Sequence, residues 1–532
     1  MDIKKLRNKF GLPVAIVGLL LLGLVIGIRI SRLDLQRSYS ILQKWNKLNA
    51  VLSIVGTEYV DDIDYKKVEV QTIEQVLKTL DPHSVYIPAE DMKEVNEPLE
   101  GNFDGIGVTF NMFYDTVVVI NTIPGGPSER VGVLAGDRII TVDERSIAGQ
   151  KVPQDSVVKM LRGKSGSKVT VGIERVGETK LVPITITRGK IPSKSVDVSY
   201  MITPTTGYVK LSKFSRTTHD EFKAASEKLL NAGMDYLIFD LRGNSGGYLD
   251  QAFEIANEFL ESGLLVVYVQ GKARPRQNLY ANRRGILKNI KVAVLIDEGS
   301  ASASEIVAGA IQDNDRGLVY GRRSFGKGLV QEPIGFSDGS GLRLTVARYY
   351  TPTGRCIQRP YSKGGDDYYG ELQRRYDHGE LVVADSVRQN DTLKYITPKD
   401  RVVYGGGGIM PDVFVPWDTT GVNSYFRSVS RKNLIYKFAL NISDKNRVQL
   451  QKMKTLPNLQ KYLRRQNLQH RFVTYAAQNG VTGTDAEVRY CAALLNAQIQ
   501  AYIGRSTPLD DEGFYPFLEP VDSTLQAALK QK

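Results

Sequence analysis

Cysteine, tryptophan and histidine are scarce in this chain of 532 residues, which contains two, two and four of them. Two cysteines cannot form a disulfide framework, so the fold must depend on its hydrophobic core. The spacing of Cys356 and Cys491 does not indicate whether they pair. The sequence has no cysteine–histidine cluster and no H-E-x-x-H motif. We therefore predict no metal site and no other cofactor.

Long apolar runs are rare too, and residues 11–28 form the one uncharged stretch long enough to cross a membrane. Its 18 residues would give about 27 Å of helix at about 1.5 Å per residue. The run is preceded by the basic residues Lys4, Lys5, Arg7 and Lys9. We predict that residues 1–31 are a single-pass anchor in the inner (plasma) membrane, with the rest of the chain periplasmic. A cleaved signal peptide is the alternative, although Val25–Arg29 offers no good cleavage site.

The net charge of +12 is spread along the chain. Basic residues do not form a stripe interleaved with aromatic residues, so we do not expect nucleic acid as a partner. Dispersed positive charge is compatible with a position near an anionic membrane surface.

The pattern of hydrophobic residues along the sequence predicts a multidomain α+β protein. Hydrophobic residues at helical spacing dominate residues 35–100 and the chain after about residue 420. Short β-type runs lie between residues 101 and about 190, and strands alternate with helices between residues 205 and 350. This alternation is typical of an α/β core with largely parallel strands. We expect little core in the polar, glycine-rich insert. The predicted regions are 1–31, helical 32–100, β-rich 101–190, an α/β core at 191–418 with the insert at 360–400, and helical 419–532.

A serine-rich turn stands between a predicted strand, Val292–Asp297, and a predicted helix, Ser302–Asp313. It contains Ser300, Ser302 and Ser304, separated by small alanines. A helix N-terminus directs backbone N–H groups and a positive dipole end towards a developing oxyanion. The turn is therefore a candidate site for a nucleophile.

A serine hydroxyl needs a base, and Lys327 is the best candidate because it lies in an apolar stretch bounded by glycines. Burial lowers the pKa of a lysine and allows its neutral amine to accept a proton. Gln331, four residues later, could orient that amine without adding charge. A Ser-His-Asp triad remains open, although none of the four histidines lies in a glycine-framed turn.

Both candidates also have purely structural interpretations. Ser302 and Glu305 fit the S-x-x-E capping box that begins many helices. Lys327 could be a solvated turn residue. A second glycine turn, Arg242–Gly247, follows the predicted strand Tyr236–Leu241 and favours the catalytic interpretation, because ligands bind beyond the carboxyl ends of such strands. The alternative is an ordinary turn whose glycines adopt positive φ.

Several long motifs resemble the carboxyl-terminal processing peptidases, the tail-specific serine proteases. They read LDPHS, DLRGNSGG, GSASASEIVAGAIQD, SFGKGLVQ and GGGGIMPD, and they cover residues 40–355 and 400–416. The resemblance implies a crotonase- or ClpP-like core with Ser302 as nucleophile, Lys327 as base and Gln331 orienting the base. It also implies that Gly247 and Ala303 form the oxyanion hole.

The same resemblance identifies residues 101–190 as a PDZ domain. It implies that backbone N–H groups of Gly105, Ile106, Gly107 and Val108 hold the terminal carboxylate of a peptide. The peptide would then pair with the adjacent strand edge. Arg162 could contact the peptidase region, and a solvated surface arginine is the alternative.

The sequence therefore predicts a membrane-anchored serine endopeptidase that recognises C-terminal tails of protein or peptide substrates. Two alternatives stay open: a catalytically inactive PDZ scaffold, and a crotonase-like enzyme acting on acyl thioesters. The helical regions at both ends leave homo-oligomer formation open as well.

Overall fold

The computed structural model describes residues 46–113, 115–387 and 391–531. The predicted anchor at 11–28 lies outside these ranges. None of the helices within them is sufficiently long and apolar to span a bilayer. The chain divides into two compact units, Met1–Leu77 and Lys78–Lys532.

The described part of the first unit is helical. Helix α1 covers residues 46–58, and helix α2 covers Tyr65–Lys78. Both helices lie in the region 32–100 that the sequence predicts to be helical.

The second unit begins with the L-D-P-H-S turn. Asp81 is buried and accepts hydrogen bonds from the backbone N–H groups of His83 (2.8 Å) and Ser84 (2.9 Å). The elements that follow are β1 (Val85–Ile87), α3 (Met92–Asn96), a 3-10 turn (Glu97–Leu99) and β2 (Asn102–Gly105).

A small β-domain comes next. Its elements are β3 (Val108–Phe113), β4 (Thr116–Thr122), α4 (Pro127–Arg130), β5 (Arg138–Val142), β6 (Arg145–Ser146), α5 (Gln154–Leu161), β7 (Lys168–Glu174), β8 (Val182–Thr187) and β9 (Gly189–Pro192). The sheet is antiparallel in the order β3-β4-β5-β7-β8, with β6 on β5, and β2 pairs with β9. Strand β3 is at the edge of this sheet and is thus available for pairing with a further strand.

The elements of the α/β core are β10 (Val196–Met201), β11 (Thr206–Leu211), α6 (Thr218–Asn231), β12 (Tyr236–Asp240), α7 (Leu249–Asn257), β13 (Leu265–Gln270), β14 (Gln277–Tyr280), β15 (Lys291–Ile296), α8 (Ala303–Asp313), β16 (Leu318–Gly321), β17 (Leu329–Gly335), β18 (Gly341–Tyr350), α9 (Gly365–Tyr369), α10 (Glu371–Asp377), β19 (Lys394–Ile396), β20 (Val402–Tyr404) and β21 (Val413–Phe414). Short 3-10 turns cover Ala384–Ser386 and Asp391–Leu393.

The central sheet has the order β10-β11-β12-β15-β16-β21 and is parallel except for β10. All five residues of β12 are buried, as expected for a strand covered on both faces. Side chains of α6, α7 and α8 pack on one face in the largest hydrophobic cluster. The predicted α/β core with largely parallel strands is therefore confirmed.

A second sheet is antiparallel and runs β1-β18-β13-β14, with β17 also paired to β18. Strand β13 lies in this sheet, although it belongs to the stretch 205–350 in which strands and helices alternate. Its partner β18 lies about eighty residues later in the chain, a pairing that local sequence does not reveal.

The insert at 360–400 also differs from expectation. It buries Tyr368, Arg375 and Leu381 against the core. The prediction of little core was wrong because these side chains find their partners in distant segments.

The remaining elements are helical. They are α11 (Ser424–Arg431), α12 (Leu434–Lys445), α13 (Arg447–Leu450), α14 (Leu456–Arg464), α15 (Leu468–Gln478), α16 (Asp485–Arg505), α17 (Tyr515–Leu518) and α18 (Ser523–Lys530), with 3-10 turns at Asp510–Gly513 and Glu519–Val521. Most of these helices share their own hydrophobic cluster. Helix α18 instead covers the other face of the central sheet, where Leu525 and Ala528 are buried. Cys356 and Cys491 are both free thiols.

Candidate active site

Ser302 lies at the N-terminus of α8, directly beyond the turn that follows β15. Its φ of 55° and ψ of −112° are unusual for a residue other than glycine, and such strained backbone often occurs at functional sites. Its carbonyl accepts hydrogen bonds from Glu305 (2.9 Å) and Ile306 (3.0 Å), which begin the helix. The Ser302 residue is therefore presented at the positive end of a buried helix.

Lys327 lies in the loop between β16 and β17. Its Nζ donates a hydrogen bond to Gln331 Oε1 at 3.1 Å. The Gln331 amide nitrogen in turn donates to the carbonyl oxygen of His83. This second bond fixes the amide so that its oxygen, rather than its nitrogen, faces the lysine.

Burial lowers the pKa of Lys327, and the nearby Arg343 lowers it further. Glu305 and Asp81 act in the opposite direction without reversing the shift. His83 faces the same amine, and burial followed by the charge of Lys327 lowers its pKa to about 4. The lysine is thus neutral at a lower pH than an exposed lysine would be.

Glu305 ties the serine turn to the lysine loop. Its Oε2 accepts from the backbone N–H groups of Ser302 (2.8 Å) and Lys327 (2.9 Å). Its Oε1 accepts from Gly326 N–H (2.7 Å) and the Ser324 hydroxyl (2.5 Å). The side chain is 0% exposed, and burial raises its pKa against the effect of these bonds. The sequence pattern suggested only a helix cap for this residue.

Tyr349 provides a second link between the two candidates. Its hydroxyl on β18 lies 3.0 Å from the carbonyl oxygen of Ser302 and 2.5 Å from that of Lys327, and its single proton is shared between these two acceptors. Nothing in the local sequence around Tyr349 indicated this role, because its partners lie 47 and 22 residues away.

The glycine turn after β12 is bound directly to the serine turn. The Asn244 carbonyl accepts from Ala301 N–H (3.0 Å) and from the Ser304 hydroxyl (2.8 Å). Its side-chain oxygen accepts from Gly246 N–H at 2.9 Å. These bonds hold the two predicted parts of the oxyanion hole against each other.

Close approach explains the glycines of this turn. A Cβ at Gly246, which has a φ of +101°, would lie 2.8 Å from the Ser302 Cβ and 3.0 Å from the Ala303 nitrogen. A Cβ at Gly247 would lie 2.0 Å from the carbonyl oxygen of Phe214. Neither position accommodates a side chain.

Arg242 anchors the start of the same turn. Its guanidinium contacts Asp240 at 2.6 Å and forms two hydrogen bonds to Asp522, of 2.8 and 2.7 Å. Burial opposes the charge on Arg242, but the carboxylates of Asp240 and Asp522 raise its pKa well above the ordinary value. The turn is therefore connected to the N-terminus of α18.

A cavity of about 320 Å³ brings the predicted residues together. Ser302, Ala303, Gly247, Lys327 and Gln331 all line it. Further lining residues are Ser245, Tyr248, Leu249, Ile306, Leu329 and Arg343. The arrangement has the parts of a nucleophile–base pair beside two backbone amides, and the individual catalytic roles stay predictions.

The predicted peptide-binding loop is separate from this cavity. Gly105, Ile106, Gly107 and Val108 connect β2 to the edge strand β3. The Ile106 carbonyl accepts from the backbone N–H (3.0 Å) and hydroxyl (2.6 Å) of Ser128, which fixes the loop. The loop thus lies beside β3, the end strand of its sheet among the described strands.

Arg162, at the end of α5, is not simply a solvated arginine. It donates to Glu97 at 2.6 Å and lies 4.7 Å from the centre of the Phe103 ring. Glu97 lies between Asn96 and Leu99, both of which line the cavity. The β-domain therefore contacts a segment that lines the cavity.

Comparison with protein families gives three matches. Residues 205–363 match peptidase family S41, and residues 105–186 match the PDZ domain. Residues 425–507, in the helical region, match a family of unknown function.

Curated relatives include two bacterial proteins. A probable CtpA-like serine protease of Staphylococcus aureus is 36% identical over 315 residues, which are 59% of this chain and 62% of that protein. A carboxy-terminal-processing protease of Bartonella bacilliformis is 38% identical over 309 residues, 57% of this chain and 70% of that protein. The chain thus spans less than two thirds of the staphylococcal relative.

The solved structures that are similar to this chain include a photosystem II D1 C-terminal processing protease, which is 26% identical in sequence. The match covers 70% of this chain and 86% of that chain, with a TM-score of 0.38. The PDZ domain of a carboxy-terminal protease from Vibrio cholerae, solved with a peptide, is 32% identical. It covers 17% of this chain and 97% of that chain, with a TM-score of 0.16.

Proposed function

Because this chain belongs to peptidase family S41, the carboxy-terminal-processing proteases, we propose that it is a membrane-anchored serine endopeptidase that acts on C-terminal tails. One observation carries the proposal. Ser302 and Lys327 line a single cavity, and both are held there by the same two side chains, Glu305 and Tyr349.

The proposed reaction begins with the neutral amine of Lys327. As the Ser302 hydroxyl attacks the scissile carbonyl, the amine takes its proton and Gln331 keeps the amine in place. The N–H groups of Gly247 and Ala303 stabilise the oxyanion. Lys327 then donates the proton to the leaving amine, and water, deprotonated by the same lysine, hydrolyses the acyl-enzyme. No step requires a metal or an organic cofactor.

The β-domain would select the substrate by its end. The N–H groups of the loop Gly105–Val108 bind the terminal carboxylate, and the preceding residues of the tail pair with the edge of β3. The edge position of β3 in its sheet supports this part of the proposal.

The location belongs to the proposal as well. Residues 11–28 would hold the chain in the inner membrane, and the basic residues before them would keep the N-terminus in the cytoplasm. The catalytic part would then act on periplasmic substrates.

The proposal is tested with the full chain in detergent and a peptide with an apolar C-terminus, with cuts mapped by mass spectrometry. Ser302→Ala and Lys327→Ala should each lower kcat by about a thousandfold or more while the circular dichroism spectrum stays unchanged. Lys452→Ala, an exposed site in the helical region, should cleave like the wild type.

Retained cleavage in either active-site variant would reject the Ser–Lys mechanism. A wild-type protein that turns over an acyl thioester but cuts no peptide would instead favour the thioester enzyme. A wild-type protein with neither activity would favour the inactive scaffold.

A further inference from the structure

The loop that carries Lys327 is held from two sides. Glu305 binds it from the core, as described above. On the other side, Arg375 of α10 donates to the carbonyl oxygens of Arg323 (2.6 Å) and Ser324 (3.2 Å). Arg375 is only 4% exposed and is paired with Glu380 at 2.8 Å. A buried and paired guanidinium of this kind fixes the backbone that it binds.

The insert also reaches the residue that orients Gln331. The hydroxyl of Tyr368, which is 1% exposed, lies 2.9 Å from His83 Nε2. The hydroxyl of Tyr369 donates to the Pro82 carbonyl at 2.7 Å. Since the His83 carbonyl accepts from the Gln331 amide, the insert stabilises the turn on which that amide depends.

Arg359, just before the insert, joins these two contacts. Its guanidinium carbon lies 3.9 Å from the ring centre of Phe325 and 3.9 Å from that of Tyr368. It also donates to Glu371 of α10 at 2.5 Å. Phe325 is two residues before Lys327, so this stack connects the insert to the lysine loop.

We propose that helices α9 and α10 of the insert are a positioning element for the Lys327–Gln331 pair, acting through Tyr368 on the His83 turn and through Arg375 on the lysine loop. This inference rests on the proposed function. Among the residues that the structure describes, none of the insert lines the catalytic cavity. The insert therefore acts on the geometry and the dryness of the site, and it does not touch the substrate.

Loss of the Tyr368 hydroxyl should loosen the His83 turn, so that Gln331 holds the amine less well and water reaches it more easily. The charged or titratable groups that face Lys327 are Arg343, Glu305, Asp81 and His83. Tyr368→Phe replaces none of these side chains, and of the four only His83 loses a hydrogen-bond partner. A rise in the pKa of Lys327 would then report hydration of the amine, because burial is the main cause of its lowered pKa.

The test compares Tyr368→Phe with Tyr376→Phe in the full chain. Tyr376 is on α10 of the same insert, is 56% exposed and packs on Trp417, away from the lysine loop. Tyr368→Phe should lower kcat by about three- to tenfold, the value of one hydrogen bond, with KM unchanged. The acid limb of its kcat/KM profile should move to higher pH. Tyr376→Phe should match the wild type in kcat, in KM and in the position of the acid limb.

A double-variant cycle provides a second test. His83→Leu removes the other partner of the same hydrogen bond, so the variant with both changes should be no slower than the slower single variant. Full additivity of the two effects would overturn the coupling through His83.

Three results separate the possible failures. A wild type that cleaves no peptide rejects the proposed function. An active wild type with Tyr368→Phe equal to Tyr376→Phe rejects the positioning role. A third result is that Tyr368→Phe lowers the melting temperature and the fraction of active enzyme molecules while the acid limb of the kcat/KM profile stays in place. That result shows a merely structural role for Tyr368 and also rejects the positioning role.

Discussion

Arg343 places a second positive charge in the cavity that holds Lys327. It is held by Asn96, whose side-chain oxygen accepts from its guanidinium at 3.3 Å. Two like charges in one cavity disfavour each other, so Arg343 helps to keep the lysine neutral.

We predict that Arg343→Gln raises the pKa of Lys327, since it removes the positive charge that lowers it. In the proposed mechanism the neutral lysine is the active form, so the acid limb of the kcat/KM profile should move to higher pH and activity near neutrality should fall. Arg343→Lys retains the charge and should leave the limb in place. An unmoved limb in Arg343→Gln would contradict an electrostatic role.

The sequence predicted five of the residues that line the cavity, because each lies in a local pattern with a chemical meaning. Ser302 begins a helix, Lys327 is framed by glycines, and Gly247 follows a buried strand. It did not predict the residues that hold them. The sequence pattern suggested only a cap for Glu305 and did not single out Tyr349, since their decisive bonds are to segments remote in sequence.

At the scale of elements, local periodicity was sufficient to predict the type and the ends of a helix or strand that is defined by its own residues. The strand predicted at Val292–Asp297 lies at Lys291–Ile296, and the helix predicted at Ser302–Asp313 begins one residue later. Local periodicity did not show to which sheet a strand belongs, because strand pairing depends on partners far along the chain. Strand β13, for example, pairs with β18. The prediction for the insert was wrong for the same reason, since the composition of the insert gave no sign that Arg323 or Phe325 would be its partners.

The loop before β3 supplies a prediction at this scale. A peptide with a free C-terminal carboxylate should be cleaved with a kcat/KM about tenfold or more above that of its amide, mainly through KM, because charge-assisted hydrogen bonds to the loop are lost in the amide. Gly107 has a φ of +77°, so Gly107→Ala should distort the loop and reduce this preference. Equal cleavage of both peptides by the wild type would contradict recognition by the loop.

At the scale of the whole second unit, the helical region contacts both of the other parts. Asp444 of α12 binds Arg138 of the β-domain at 2.8 Å, and Leu440 packs on Phe113 and Val118. At the other end, the Tyr236 hydroxyl of the central sheet donates to the Ala528 carbonyl at 2.9 Å. The region thus stabilises the β-domain and the peptidase core at once.

We predict that Leu525→Ala lowers the free energy of unfolding by about 2–5 kcal/mol, because it leaves a cavity between α18 and the central sheet. Leu525 is 3% exposed, whereas Leu264 is 38% exposed, so Leu264→Ala should have a much smaller effect. Urea denaturation followed by circular dichroism measures both. Equal destabilisation by the two changes would contradict the packing of α18 on the sheet.

Helix α18 has a consequence for biosynthesis. Ribosomes make the strands of the central sheet long before residues 523–530, so the nascent chain holds Tyr208, Ile238 and Leu295 on an uncovered apolar face. During that interval Arg242 also lacks Asp522, although Ser302 and Lys327 have already been made. We therefore expect peptidase activity to develop only after α18 has emerged from the ribosome, so that proteolysis is delayed until residues 523–530 have been synthesised.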